Sequence, residues 1–356
     1  MKQNVTALII LVTTVYLLSI NAQGTKEERI SVRKCKEYKE FYRETFAPKV
    51  QGRDPILGKY KCPNNKRVRN PNLRRDVFRH EFPHVASLWY ESVDGTGVKT
   101  GYKFRCSGTL ISKRHVLVPG HCIYSKSGKP THVTFGDSNL YDEFPDSKRQ
   151  VLQVADIIFH PHYVPPSSVN DIAIVLLTKG VKYDERSRSP RPSVRPACLP
   201  VEGQEIRHGI SLTAYESKSG SLITERVTLI EKNKDCEDTV RSQLKDNFEI
   251  LFGETVRPTQ FCSESLASNT CLSDIGGALT TQPFRGMPCI DTVVGFISVN
   301  ATGCEGGSAN PIVYTSVEKY LDWIEEVVWP KQFKSGISPL FLNLYGNATD
   351  SQSQEF

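Results

Sequence analysis

Between Glu81 and about Ala309 the apolar residues come in short runs, each ended by Gly, Pro, Asn or Ser. Val85 to Tyr90, Gly108 to Ile111, Val133 to Gly136, Ile172 to Leu177 and Asp291 to Val299 are examples, rich in Val, Ile, Leu, Thr and Phe. That spacing predicts an all-β barrel or sandwich. Helix signals are confined to Lys234 to Gln243 and Val317 to Val328. In the second stretch Val317, Tyr320, Leu321, Ile324 and Val328 share one face. With 356 residues, 38% of them apolar and 24% charged, the chain can bury a sizeable core, which excludes a disordered or fibrous protein. It contains no internal repeat.

Ten cysteines against two methionines is an even count and too dense for a reduced compartment. An oxidising, extracellular setting is implied. The N-terminus agrees: Lys2 is followed by an apolar run from Ala7 to Ile20 and by Asn21-Ala22-Gln23, the pattern of a signal peptide over 1–22. The run is shorter than the roughly 20 residues that span a bilayer, and no later run is longer, so no membrane span is expected. Localisation is read as secreted.

Charge divides the remainder. Residues 25–80 hold 17 Lys/Arg against 7 Asp/Glu, whereas residues 81–356 hold 27 against 32. A basic two-cysteine segment over 23–80 therefore precedes a mildly acidic body. It is either a solvated, protease-sensitive linker or an arm for acidic and polyanionic surfaces. Nucleic acid is not an expected partner of a secreted chain. The stretch beginning Cys35-Lys-Glu-Tyr-Lys-Glu-Phe-Tyr is compatible with a helix but has too few apolar residues for its own core, so Cys35 and Cys62 must staple it to something. Residues 63–80, rich in Pro, Asn and Arg, read as a linker, and the boundary of the body is placed there. Residues 331–356 form a tail of mixed character.

Three local sequences carry chemistry. They are Cys106-Ser-Gly-Thr-Leu-Ile ending in Gly120-His121-Cys122, then Asn170-Asp171-Ile-Ala-Ile-Val-Leu-Leu, then Cys271-Leu-Ser273-Asp274-Ile275-Gly276-Gly277. In this order they resemble the trypsin/chymotrypsin-type serine protease family. Glu81-Phe-Pro-His84 and Tyr320-Leu-Asp-Trp-Ile-Glu narrow the resemblance to insect clip-domain-associated proteases, over residues 81–330. The resemblance implies two antiparallel six-stranded β-barrels with a C-terminal α-helix and a cleft between the barrels.

It also implies a His as general base, an Asp that orients it and a Ser nucleophile. His121 and Asp171 match the first two, and Ile275 stands at the third. A sec-butyl side chain has neither lone pair nor transferable proton, so no acyl-enzyme can form on it. Ser273 occupies the place of an oxyanion-loop Gly, and its Cβ disfavours the loop conformation that aims the backbone amides. Asn269 replaces the Asp that would attract Lys or Arg. Asn300 and Ile312 replace glycines of the specificity-pocket walls, so the pocket is expected to be shut. Asp274 remains without an Ile-Val-Gly-Gly terminus to pair with, and a cut after Arg74 or Arg75 would expose Arg or Asp instead. Pro119-Gly120 ahead of His121 departs from the family's Ala-Ala and is expected to change the seat of the imidazole.

By resemblance Cys106 pairs with Cys122, Cys236 with Cys262 and Cys271 with Cys304. Cys35, Cys62, Cys198 and Cys289 allow three pairings; the resemblance favours Cys62 with Cys198, and hence Cys35 with Cys289. Asn300-Ala-Thr and Asn347-Ala-Thr are glycosylation sequons. No cofactor or metal is expected: His160-Pro-His162-Tyr163 resembles a family strand end, and Asp137 with Asp146 gives an incomplete calcium pattern. The expected function is a secreted, non-catalytic protease homologue that binds extracellular proteases, zymogens or inhibitors in a proteolytic cascade of insect innate immunity. The alternatives are a hydrolase with residual activity through Ser273 and His121, and an opsonin for microbial polysaccharide.

Overall fold

A computed structural model describes residues 28–46, 75–77, 80–123, 128–142, 148–183, 193–203, 210–216, 219–230, 233–264, 276–281, 290–300, 311–330 and 332. The short runs form strands, as their length and punctuation require. β2 (Val85–Val93), β3 (Lys99–Leu110), β4 (His115–Val118), β5 (Pro130–Phe135), β6 (Gln150–Phe159) and β7 (Ala173–Leu177) close a six-stranded barrel in the order β2-β3-β4-β7-β6-β5. All pairings are antiparallel, with Ala86 of β2 opposite Gly108 of β3 on one side and Phe135 of β5 on the other. Leu88, Leu110, Val116, Val133, Phe135 and Val175 fill the interior with no exposed surface. Complete burial of such side chains contributes about 1.5–3 kcal/mol each, before conformational entropy is subtracted.

The second half builds the second β unit from one sheet. β1 (Arg75–Asp76), β8 (Ile210–Tyr215), β9 (Leu222–Arg226), β10 (Gln260–Ser263), β11 (Ala278–Thr281), β12 (Thr292–Asn300) and β13 (Ile312–Ser316) form a seven-stranded sheet ordered β1-β9-β8-β11-β12-β13-β10. Among the described residues no full ladder closes it. Residues just beyond β9 curl round to β10 instead: Leu229 bridges Ser263, Ile230 N–H donates to Cys262 O at 2.9 Å and Glu264 N–H to Thr228 O at 3.0 Å. The additional strand, β1, comes from the stretch expected to be linker.

Five helices are described: α1 (Ile30–Phe46), α2 (Gly120–Ile123), α3 (Asn233–Leu244), α4 (Asn247–Phe252) and α5 (Leu321–Val328), the last entered through a 3₁₀ turn at Val317–Tyr320. α5 closes the molecule. Its Leu321, Ile324 and Val328 pack with Ile111, Leu117 and Ile174 of the barrel and with Val293 and Phe296 of the sheet in one apolar cluster. None of the described helices is long and apolar enough to cross a membrane.

α1 lies against this body rather than apart from it. Cys35 is bonded to Cys198, so the expected pairs Cys62–Cys198 and Cys35–Cys289 are both incorrect; Cys62 and Cys289 lie outside the described residues. The reason is the helix itself. Its apolar residues cannot form a core alone, and the position that faces the body is Cys35, one turn beyond the buried Ile30 and Ser31. Polar contacts fix the same face: Arg29 pairs with Asp322, with Glu325 at 3.2 Å and with Glu202 at 3.4 Å, and Tyr38 Oη donates to Ile111 O at 3.1 Å. Cys106–Cys122 and Cys236–Cys262 are bonded. Cys271 and Cys304 lie outside the described residues.

Candidate active site

His121 sits on α2, a single turn at the end of β4 that Cys122 ties to Cys106 on β3. Asp171 precedes β7. It is 1% exposed, an energetically costly place for a carboxylate unless several donors face it. Three do. His121 N–H donates to Asp171 Oδ1 at 2.8 Å, His121 Nδ1 lies 2.6 Å from Oδ2, and Ser298 Oγ on β12 donates to Oδ2 at 2.5 Å. Thr315 Oγ1 on β13 donates to the Asp171 carbonyl at 3.2 Å. The residue before it, Asn170, takes left-handed backbone with φ of 55°, which Asn tolerates better than most, and its Oδ1 accepts from Tyr320 Oη at 3.1 Å.

A carboxylate on Nδ1 places the proton there and leaves Nε2 as the basic nitrogen. Nε2 is buried and has no hydrogen-bond partner among the described residues. The base and its orienting acid are therefore hydrogen-bonded to each other behind Pro119-Gly120. Gly120 has another purpose: a Cβ there would stand 2.7 Å from Tyr163 Cε1, whose ring stacks on Phe159. The glycine makes room for Tyr163.

The nucleophile loop is described only at its downstream end. Ser273, Asp274, Ile275 and Asn269 lie outside the described residues. Gly276 has φ of 99°, and a Cβ there would come within 2.2 Å of Ser107 O, so this position admits no side chain. Ile312 begins β13, is 4% exposed and packs among Ile210, Leu212, Ile297 and Tyr314 in the interior of the second sheet. Its partner across the ladder is Asn300, whose side chain, like Asn347, is outside the described residues.

Ser298 is the functional residue that the sequence reading passed over. The signal for it was weak, a hydroxyl two residues ahead of Asn300, a position expected at the pocket wall. The remaining candidates do not converge. His160 packs edge-on against Tyr320 and Trp323, and burial, then His162, lowers its pKa to about 4. Asp137 forms an ion pair with Arg149 at 3.7 Å, and Asp146 is outside the described residues. Among the described residues no three His, Cys, Asp or Glu side chains are grouped to hold a metal ion.

Comparison with known proteins agrees with this geometry. The family model described as Trypsin matches residues 74–324. Serine protease Hayan of Drosophila melanogaster is 28% identical over 264 residues, covering 71% of this chain and 38% of Hayan. CLIP domain-containing serine protease B4 of Anopheles gambiae is 28% identical over 263 residues, covering 70% of this chain and 68% of that protein. The chain thus spans well under half the length of one relative and about two thirds of the other. A solved structure titled "Structure of GrC" superposes with a TM-score of 0.52 at 23% identity, over 71% of this chain and 97% of that one, a likeness of fold. A barrel, a second sheet, a C-terminal helix and a His–Asp pair held between them place this chain in the trypsin family, in the neighbourhood of the insect clip-domain proteases.

Proposed function

We propose that this protein is a secreted, non-catalytic member of the trypsin family that binds other proteases, zymogens or their inhibitors in an extracellular cascade of insect innate immunity. One observation carries the reading: Ile275 stands in sequence where the family places its nucleophile, in a chain that keeps His121 and Asp171. Without an attacking oxygen, general-base catalysis has no proton to remove and the acyl transfer cannot begin. Asn269, Asn300 and Ile312 support the same reading, because each removes charge or adds bulk where a basic substrate side chain would enter. A signal peptide over 1–22, a basic segment over 23–80, a body over 81–330 and a tail over 331–356 complete the proposed organisation, with glycans on Asn300 and Asn347.

The test is to treat the purified full chain with a fluorophosphonate, which labels only an activated hydroxyl. No covalent adduct is expected, even at long exposure. An adduct on Ser273 would establish the alternative reading, a residual hydrolase through Ser273 and His121. The specific observation behind that alternative is the assembled His121–Asp171 pair with its unpartnered Nε2.

A further inference from the structure

Arg75, one half of a dibasic pair ahead of the body, is built into the fold. With Asp76 it forms β1, in register with Thr224 and Ile223 of β9, and Val77 N–H continues the pairing onto Leu222 O at 2.9 Å. Its guanidinium reaches Glu81, Nη1 to Oε2 at 2.8 Å and Nη2 to Oε1 at 2.5 Å, two parallel bonds of the strongest side-chain type. The Glu81 side chain has no exposed surface. Moving Arg75 away would take a forked cation from a buried carboxylate, and breaking such a buried pair is costly. His80, just before Glu81, holds left-handed backbone at φ of 59°, and Val77 packs into the cluster of Phe82, Val85 and Leu222.

A trypsin-like protease needs its substrate as an extended strand several residues long, with free main-chain groups and an Arg or Lys side chain available to its pocket. Arg75 offers neither. Its main chain is committed to β9 and its side chain to Glu81. The bond after Arg74 suffers as well, because the residues on its leaving side are Arg75, Asp76 and Val77. We propose that the Arg75–Glu81 clasp shields the dibasic Arg74-Arg75 site, so that proteolytic processing of the basic segment falls upstream of it, after Lys66, Arg67 or Arg69. The inference concerns where this chain is cut and holds whether or not it is itself catalytic.

The experiment is limited trypsin digestion of the full chain, with new N-termini identified by mass spectrometry at early times. Fragments that begin after Lys66, Arg67 or Arg69 are expected to accumulate at least about tenfold faster than those that begin at Arg75 or Asp76, because a bond held in native structure is cut only from its opened fraction. Glu81→Gln, which keeps the shape and removes the charge, should raise cutting after Arg75 about tenfold while the upstream bonds, as internal control, stay unchanged. Arg75→Lys keeps a trypsin site but loses the forked pairing, and should raise it to a lesser degree. If Glu81→Gln unfolds and every bond accelerates, Arg75→Lys decides. Wild-type cutting after Arg75 as fast as upstream would overturn the proposal, and so would an unchanged rate in a folded Glu81→Gln or Arg75→Lys protein.

Discussion

Ser298 on β12 donates to Asp171 Oδ2, so the acid of the barrel is held by a hydroxyl of the second sheet. Together with the Thr315 bond to the Asp171 carbonyl, this makes the acid a joint between the two halves of the molecule. Such a joint has value without catalysis. Asp171→Ala would leave the His121 N–H and the Ser298 hydroxyl facing a cavity, and should lower stability by about 3 kcal/mol. His121→Ala removes a side chain that is one quarter exposed and leaves Asp171 two donors, so about 1 kcal/mol is expected. Denaturant unfolding of both variants measures the difference. Equal effects would show that the pair, rather than the joint, matters.

The attachment of α1 makes a second prediction. Glu325 on α5 is 2% exposed, and it accepts from Arg29 Nε at 3.2 Å and from Ser31 N–H at 3.1 Å, both supplied by the segment ahead of the body. Glu325→Ala should therefore destabilise by about 2–3 kcal/mol, since two donors lose their acceptor in a desolvated place. In the chain-entropy account the Cys35–Cys198 bond, with a separation of 163 residues, contributes about 5 kcal/mol. Cys35→Ser should thus lower the thermal midpoint strongly. After a cut anywhere between Phe46 and Arg75, non-reducing electrophoresis should still show one band.

Acid sensitivity follows from His84. It is 1% exposed beside Arg195, and its Nδ1 is 3.6 Å from Asp291 Oδ2, too far for a hydrogen bond. Burial first, then Arg195, lowers its pKa from 6.5 to about 3. In the folded chain it is neutral down to about pH 3, whereas the unfolded chain protonates it below about 6.5. The stability it contributes is complete above 6.5 and is lost as pH falls through that window, by up to about 1.4 kcal/mol per pH unit. Burial and then Arg114 lower the pKa of His115 to about 4 in the same sense. Denaturant midpoints measured from pH 7 to 4.5 should fall, and His84→Gln should flatten that dependence. An unchanged slope in the variant would remove His84 from the acid effect and leave it to His115, His160 and the carboxylates.

How much of this was legible in the sequence depends on the range of the interactions. The barrel strands and the amphipathic α5 were written in local apolar patterns, and His121 and Asp171 in local motifs. α4 was missed although Phe248 and Phe252, which stack at 5.0 Å, carry helical spacing, because six residues are too few for periodicity to stand out. β1 was missed because two residues carry no pattern at all; β9 and Glu81 make it a strand. Likewise the purpose of Gly120 is stated forty-three residues away, at Tyr163, and the partner of Cys35 is chosen by which face of α1 meets the body. Each of these depends on tertiary contact, which spacing along the chain does not encode.

On the proposed reading Ile275 stands at the nucleophile position, and Ile275→Ser is the direct test of it. If the family alignment holds, the new hydroxyl would be offered to His121, whose Nε2 is unpartnered among the described residues, so modest reactivity toward a fluorophosphonate is the most the single change should give. Turnover requires more. Ile312 is buried among Ile210, Leu212, Ile297 and Tyr314, and on the proposed reading it would fill space that a glycine there leaves to a substrate side chain. On the same reading Asn269 would supply no charge to a basic side chain, and Ser273 would stand at an oxyanion-loop position that calls for glycine. Elements of a catalytic unit act together, and restoring one leaves most of the loss in place. Ile275→Ser is therefore expected to hydrolyse peptide esters with kcat/KM at least about 10³-fold below an active relative. Adding Ser273→Gly, Ile312→Gly and Asn269→Asp should recover activity more than additively, provided the Ile312 change does not collapse the sheet, which circular dichroism checks. Near-relative activity in the single revertant would show that the pocket and oxyanion loop had remained intact and that the nucleophile alone had been removed.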